Sequence, residues 1–274
     1  QEGVTYGGTV HIGGKLTGTG GTYGVRFNYS SYNIYDDMTI GEIEGTGTCY
    51  GIYLKDGDMG AQTLTGTATD ESCNGYGVYV YDKCSASKIT GTSAGGTGVD
   101  IREYRKKTTY DSKPCSGGDY VHGYGKQNGV SISNGGDRTI FYNEIIGEGI
   151  DGAYANGVGA SIYGIGTYTI TGKGKGTGIE AGGNPTVYAT LGTAVGYSNG
   201  TGQWDRSLYL TGEVWASSIK AIGREASFSP YSYSMRLTGQ VQYCATEDSC
   251  VNACTLTDKY VCTSSGGYTY LNNK

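Results

Sequence analysis

Leu64-Thr65-Gly66-Thr67-Ala68-Thr69-Asp70-Glu71-Ser72-Cys73-Asn74-Gly75-Tyr76-Gly77-Val78-Tyr79-Val80 carries both halves of a phrase that organises the chain. A branched apolar residue, threonine and glycine open it. A polar spacer follows, and glycine with an apolar-x-apolar triplet closes it. The opening recurs as Leu16-Thr17-Gly18, Ile89-Thr90-Gly91, Ile170-Thr171-Gly172, Leu210-Thr211-Gly212 and Leu237-Thr238-Gly239. The closing recurs from Gly24-Val25-Arg26-Phe27, Gly51-Ile52-Tyr53-Leu54, Gly98-Val99-Asp100-Ile101 and Gly129-Val130-Ser131-Ile132 to Gly157-Val158-Gly159-Ala160 and Gly178-Ile179-Glu180-Ala181.

Successive closing glycines lie 27, 26, 21, 31, 28 and 21 residues apart. An antiparallel sandwich turns roughly every 8–12 residues and repeats no such phrase. An interval of this length fits one coil of a parallel β-solenoid. Alternation along a strand places the outer residues of each triplet on one face and the middle one on the other. The outer residues are Val, Ile, Leu and Phe, suited to a narrow core. The middle ones, Arg26, Tyr53, Tyr79, Asp100, Ser131 and Glu180, suit solvent. Glycine before the triplet permits a corner where a Cβ would clash.

Composition agrees. The chain has 51 Gly and 27 Tyr against 3 Phe and 3 Pro in 274 residues, whereas glycine ordinarily makes up about 7%. There is no three-residue period, which excludes collagen. Long-chain helix formers at helical spacing are scarce. The expected fold is therefore an all-β parallel β-helix over residues 1–240, with irregular coils of about 20–30 residues. A disulfide-rich cap over 241–274 closes its end. Residues 213–226 could form a short helix, but the preceding Leu-Thr-Gly phrase favours another coil.

The net charge of −5 is spread without long runs, which disfavours a nucleic-acid partner. The one basic cluster, Arg102, Arg105, Lys106 and Lys107, reads as a solvated loop. No stretch reaches the ~20 apolar residues of a membrane span. The start at Gln1 suggests a cleaved leader. The even set of cysteines, Cys49, Cys73, Cys84, Cys115, Cys244, Cys250, Cys254 and Cys262, has no Cys-x-x-Cys, and there are two histidines, His11 and His122. Disulfides in an oxidising compartment are expected, with the first four pairing among themselves and the last four likewise.

Nothing in the sequence marks an enzyme or a cofactor. There is no nucleophile elbow, and the GxG phrases have no helix to make a phosphate cradle. His11 and His122 have no motif partner. The local acid pairs Asp36/Asp37, Glu42/Glu44, Asp56/Asp58 and Glu148/Asp151 could serve polysaccharide cleavage, but none aligns across coils and a solvated face is favoured. Gly95-Gly96-Thr97-Gly98-Val99-Asp100 begins like a β-roll calcium repeat, yet stands alone and has Arg102 where an apolar residue belongs.

Surface candidates are stronger. Thr17/Thr19, Thr65/Thr67 and Thr90/Thr92 point outward in pairs, and Thr46/Thr48 resembles them. Stacked at ~4.8 Å, they would form a hydroxyl ladder similar to that of ice-binding solenoids, with the register of Thr46/Thr48 in question. Tyr29, Tyr32, Tyr35, Tyr53, Tyr79, Tyr104, Tyr231 and Tyr233 offer contact area for protein or sugar, or pair across strands. Asn28 and Asn199 stand in N-glycan acceptor patterns.

The phrases Leu-Thr-Gly-Thr, Gly-Thr-Gly-x-x-Tyr-Gly-Ile-Tyr-Leu and Gly-Val-Tyr-Val resemble, over roughly residues 10 to 240, the passenger regions of β-helical bacterial surface adhesins and autotransporters. That resemblance implies a right-handed parallel β-helix displayed outside the cell for adhesion or assembly. The cysteine-rich tail departs from it. The resulting expectation is a secreted structural or adhesive protein, partnered by itself as a homo-oligomer or filament, with glycan or a cell surface as a further partner. The alternatives are an ice- or glycan-binding solenoid and a polysaccharide-degrading enzyme.

Overall fold

Each coil pairs one long strand with one short strand across a connection of two to eight residues. The long strands run from His11–Thr19, Met38–Gly47, Met59–Ala68 and Cys84–Ser93 to Ala189–Ser198 and Glu213–Ile222. The short ones run from Glu2–Tyr6, Tyr23–Asn28, Tyr50–Lys55, Tyr76–Tyr81 and Thr97–Glu103 to Arg206–Thr211 and Ala226–Phe228. Long strands stack on long and short on short, all parallel, so the short strands form a ten-stranded sheet facing the long-strand sheet. The protein is thus a two-sheeted β-solenoid. The computed structural model describes residues 2–6, 11–28, 38–55, 59–81, 84–103, 118–134, 140–149, 158–163, 165–182, 189–203, 205–211, 213–224, 226–228, 234–237, 239–266 and 268–274.

The core is a set of files running along the axis. Leu16, Ile43, Leu64, Ile89, Val121, Ile145, Ile170, Ala194 and Ile219 stand in register on the long-strand sheet. Opposite them stand Val25, Ile52, Val78, Val99 and Val130, every one fully buried. Removing one such side chain from water is worth roughly 1.5–3 kcal/mol. Repetition along the axis therefore supplies a core that few bulky residues can fill.

Long strands also bend. Pairing runs Ile40↔Ala61, skips one residue, and resumes Glu42↔Thr63; the same skip recurs at Ala61↔Ala86 and Thr63↔Lys88. The irregularity lets Ile40 and Ile43, three residues apart, both face inward, each 1% exposed. A strict two-residue alternation would have expelled one of them.

Two residues beyond the apolar file, Gly18, Gly45, Gly66, Gly91, Gly123, Gly147, Gly172 and Gly196 form a glycine file. A Cβ on Gly66 would strike the Gly77 carbonyl, one on Gly91 that of Gly98, and one on Gly172 that of Gly178. The two sheets converge here until their backbones nearly touch. Among the described residues, positive φ occurs at Gly223 and Gly266, neither in this seam. Close approach of the sheets, not a special turn conformation, is what demands glycine.

Three phrases of the sequence reading fall elsewhere. Leu210 lies in a short strand, opposite Ala181, and Leu237 pairs with Ala216 before the bend. Val158 pairs with Asn128, and Ala160 with Val130, so that coil's closing triplet begins after Gly159 rather than Gly157. Residues 213–222 are strand, not helix.

Turns stack as well. Tyr50 N–H donates to the Thr22 carbonyl at 2.9 Å, Tyr76 to Cys49 at 2.8 Å, and Gln127 to Gly96 at 2.9 Å. Cys49–Cys73 links the turns of neighbouring coils. At the far end, Ser234–Leu237 and Val241–Cys244 still pair in parallel with Glu213–Ile222. Antiparallel pairing then takes over. Cys250–Asn252 folds back on Val241–Cys244, and Tyr260–Ser265 pairs with Tyr268–Asn273, which meets Leu237. Cys244–Cys250 and Cys254–Cys262 hold this segment, so the last four cysteines pair with one another. Cys115 and the Cys84 side chain lie outside what is described.

Candidate functional site: two outer faces

The outward positions of the long strands form two files flanking the glycine seam. One reads Thr17, Glu44, Thr65, Thr90, His122, Ile146, Thr171, Val195 and Lys220. The other reads Thr19, Thr46, Thr67, Thr92, Tyr124, Glu148, Lys173 and Tyr197. The six threonines of the candidate ladder are therefore in register, and Thr46 falls between Thr19 and Thr67. Thr48 belongs to the turn. Four unbroken threonines make one file, and Glu44, ion-paired with Lys15, interrupts the other. All seven side chains reach solvent. β-branched residues suit such a strand, and each adds one hydroxyl and one methyl per coil.

Past Thr90 and Thr92 the face changes character. His122 Nε2 lies 2.6 Å from Glu144 Oε1, and the ring stacks on Tyr120 at 4.3 Å. Lys173 donates to Glu148 at 2.9 Å, which holds the ammonium pKa above its ordinary value. The histidine thus has a carboxylate partner supplied by the next coil, which spacing along the chain could not show. Of the acid pairs, Glu42 and Glu44 share the outward face around Ile43. Asp36, Asp37, Asp56, Asp58 and Asp151 lie outside the described residues. No cluster of three or more His, Cys, Asp or Glu that could hold a metal occurs among the described residues.

The short-strand sheet carries an aromatic face. Register places Tyr23, Tyr50 and Tyr76 in one file and Arg26, Tyr53, Tyr79 and Asp100 in the next. Tyr23 stacks on Tyr50 at 4.8 Å and Tyr53 on Tyr79 at 5.0 Å, with interplanar angles of 13° and 17°. Tyr50 meets Tyr53 edge to face at 5.2 Å, and Tyr81 extends the group from Tyr79 at 6.4 Å. Arg26 lies over Tyr23, Lys55 over Tyr81, and Arg102 over Tyr79. Tyr79 points away from the core yet is only 9% exposed. These side chains make a second packed layer outside the sheet.

Asp100 anchors its edge. The carboxylate is 1% exposed and accepts from Arg102 Nε and Nη2; Arg102 Nη2 also donates to Tyr76 Oη at 3.3 Å. Burial pushes the Asp100 pKa up against the pull of Arg102. The aspartate of the calcium-like phrase is thus committed to arginine. Burial also raises the phenol pKa of Tyr50, Tyr76 and, most strongly, Tyr79. Because ring faces stack on each other, edges and hydroxyls are what this face presents. That geometry is a ladder of cross-strand pairs more than an open platform for stacking sugars.

Asn28 and Asn199 are both exposed, the second just after the strand Ala189–Ser198. Tyr29, Tyr32, Tyr35, Tyr104, Tyr231 and Tyr233, with Arg105, Lys106 and Lys107, lie outside the described residues. The disulfides fit a location outside the reducing cytoplasm. Among the described residues no helix is long and apolar enough to cross a membrane. No known protein family, curated protein or solved structure matches the chain.

Proposed function

We propose that this chain is a secreted structural or adhesive solenoid that works through its outer faces and associates side by side. The observation that carries the reading is the file Thr19, Thr46, Thr67 and Thr92, with Thr17, Thr65 and Thr90 beside it. A face that repeats at the coil spacing complements any surface with a matching repeat, including the same face of another copy. Negative-stain microscopy of concentrated protein tests this. Lateral bundles that disperse when Thr67 and Thr92 are both replaced by lysine are expected; isolated rods at every concentration would contradict the proposal.

The same file supports a second reading, binding to an ordered solid such as ice. Thermal hysteresis that vanishes in the double lysine variant would favour it over self-association, and its absence in the parent protein would remove it.

A further inference from the structure

We infer that the tyrosine face is a site of oxidative cross-linking, at which adjacent coils become covalently joined through dityrosine at Tyr23–Tyr50 and Tyr53–Tyr79. The inference adds a modification to the secreted reading and draws on it only for access to an extracellular oxidant.

The pairs are built in. Tyr23 and Tyr50 occupy directly opposed positions on neighbouring strands, as do Tyr53 and Tyr79. Their rings are stacked at 4.8 and 5.0 Å and nearly parallel, which holds the two phenols of each pair side by side. Tyr23, Tyr50 and Tyr53 are partly exposed, so an outside oxidant reaches them. Tyr79 is shielded, but its contacts with Tyr53 at 5.0 Å and Tyr76 at 4.9 Å let an electron leave it through the stack.

The chemistry balances with a named co-reactant, hydrogen peroxide acting through a peroxidase. Each phenol gives up one electron and one proton. The two phenoxyl radicals join ortho carbon to ortho carbon, and each ring regains aromaticity as its displaced ring hydrogen moves to the phenol oxygen. Two tyrosines are oxidised and one peroxide is reduced, giving one dityrosine and two waters. Tethered partners meet at an effective concentration of order mM. At protein concentrations near 1 μM, coupling within one molecule therefore outruns coupling between molecules by about a thousandfold. The product would double the Cys49–Cys73 staple between its two coils and tie in the coil before them, by bonds that thiols do not reduce.

Purified protein is treated, dilute, with a haem peroxidase and hydrogen peroxide. Dityrosine fluorescence is read on the monomer fraction, and reduced tryptic peptides are mapped by fragmentation mass spectrometry. The expected result is a loss of two hydrogens per link, joining peptide 16–26 to 27–55 at Tyr23 and Tyr50, and 27–55 to 56–83 at Tyr53 and Tyr79. The double variant Tyr50→Phe/Tyr53→Phe keeps the rings, and hence the stack, but lacks one phenol of each pair. It should lose at least tenfold of the monomer-borne fluorescence with its circular dichroism unchanged. Undiminished yield in that variant, links that map to other tyrosines, or dityrosine confined to dimers would overturn the assignment. None of these results depends on whether the protein bundles, so each proposal can fail alone.

Discussion

The early coils and the late coils share an interior and differ outside. From Gly18 to Gly196 the glycine seam is continuous, and the apolar file beside it runs from Leu16 to Ile219. Outside, the longest files of like residues among the described ones lie in the early part, Thr19 to Thr92 on one sheet and Tyr23 to Tyr76 on the other, whereas later coils match in pairs, Ser131 with Ser161 and Thr169 with Thr193. Later the same positions hold Tyr124, Glu148, Lys173 and Tyr197. The coil folds with either exterior. Uniform files in the early coils are therefore not a requirement of the solenoid, and that is why the functional reading rests on them.

The interior half of the comparison predicts equal and large effects in both regions. Gly66→Val and Gly172→Val each drive a side chain into a carbonyl of the facing sheet. Each should cost about 3 kcal/mol or more in denaturant unfolding; tolerance at either position would break the claim of one continuous seam. Next come the staples. Cys49–Cys73 spans 24 residues and Cys244–Cys250 spans 6. Chain entropy then assigns the first roughly 3 kcal/mol and the second roughly 2 kcal/mol. Calorimetry of the paired alanine variants should preserve that order.

The exterior half predicts asymmetry. Tyr79→Ala removes a ring packed among Tyr53, Tyr76, Tyr81 and Arg102 and should cost about 3 kcal/mol. Tyr209→Ala, its late counterpart beside Arg206, should cost about 1 kcal/mol. Similar values for the two would erase the distinction between the regions.

Alkaline pH tests the early aromatic layer. Burial raises the pKa of Tyr50, Tyr76 and Tyr79. Unfolded phenols release their protons near pH ~10 while these stay protonated, so the folded state binds more protons and stability falls as pH rises from there. A variant with Phe at all three positions should show a flatter pH–stability curve above pH ~10, and identical curves would contradict the buried layer. The smallest effect is Thr65→Val, expected within about 0.5 kcal/mol of the parent, because the outward file does not hold the fold.

The repeat interval and the inward triplets made the solenoid legible in the sequence. Threonine in the opening phrase misled, because its position faces solvent and accepts Glu44, His122, Ile146 or Val195 as readily. The apolar-x-Gly core of that phrase is the constrained part, and it extends to Ile43-Glu44-Gly45 and Val121-His122-Gly123. Leu210 and Leu237 matched in letters while sitting at other points of the coil. The bend that brings both Ile40 and Ile43 inside breaks simple alternation, so the start of each long strand could not be read. Of the candidate faces, the threonine pairs were visible as pairs. Their register, the Tyr23 and Tyr50 stack and the His122–Glu144 contact all depend on loop lengths between coils, which residue spacing leaves undetermined.

Distances along one outward file measure the stack itself. Spin labels carried on unnatural amino acids at position 19, paired in turn with labels at 67, 124 and 173, sample sites separated by two, four and six coils. Separations that grow linearly by ~4.8 Å per coil, to ~29 Å between 19 and 173, are the predicted result. Distances that plateau or reverse along that series would mean that the coils do not lie one above another, and the faces built on them would not exist.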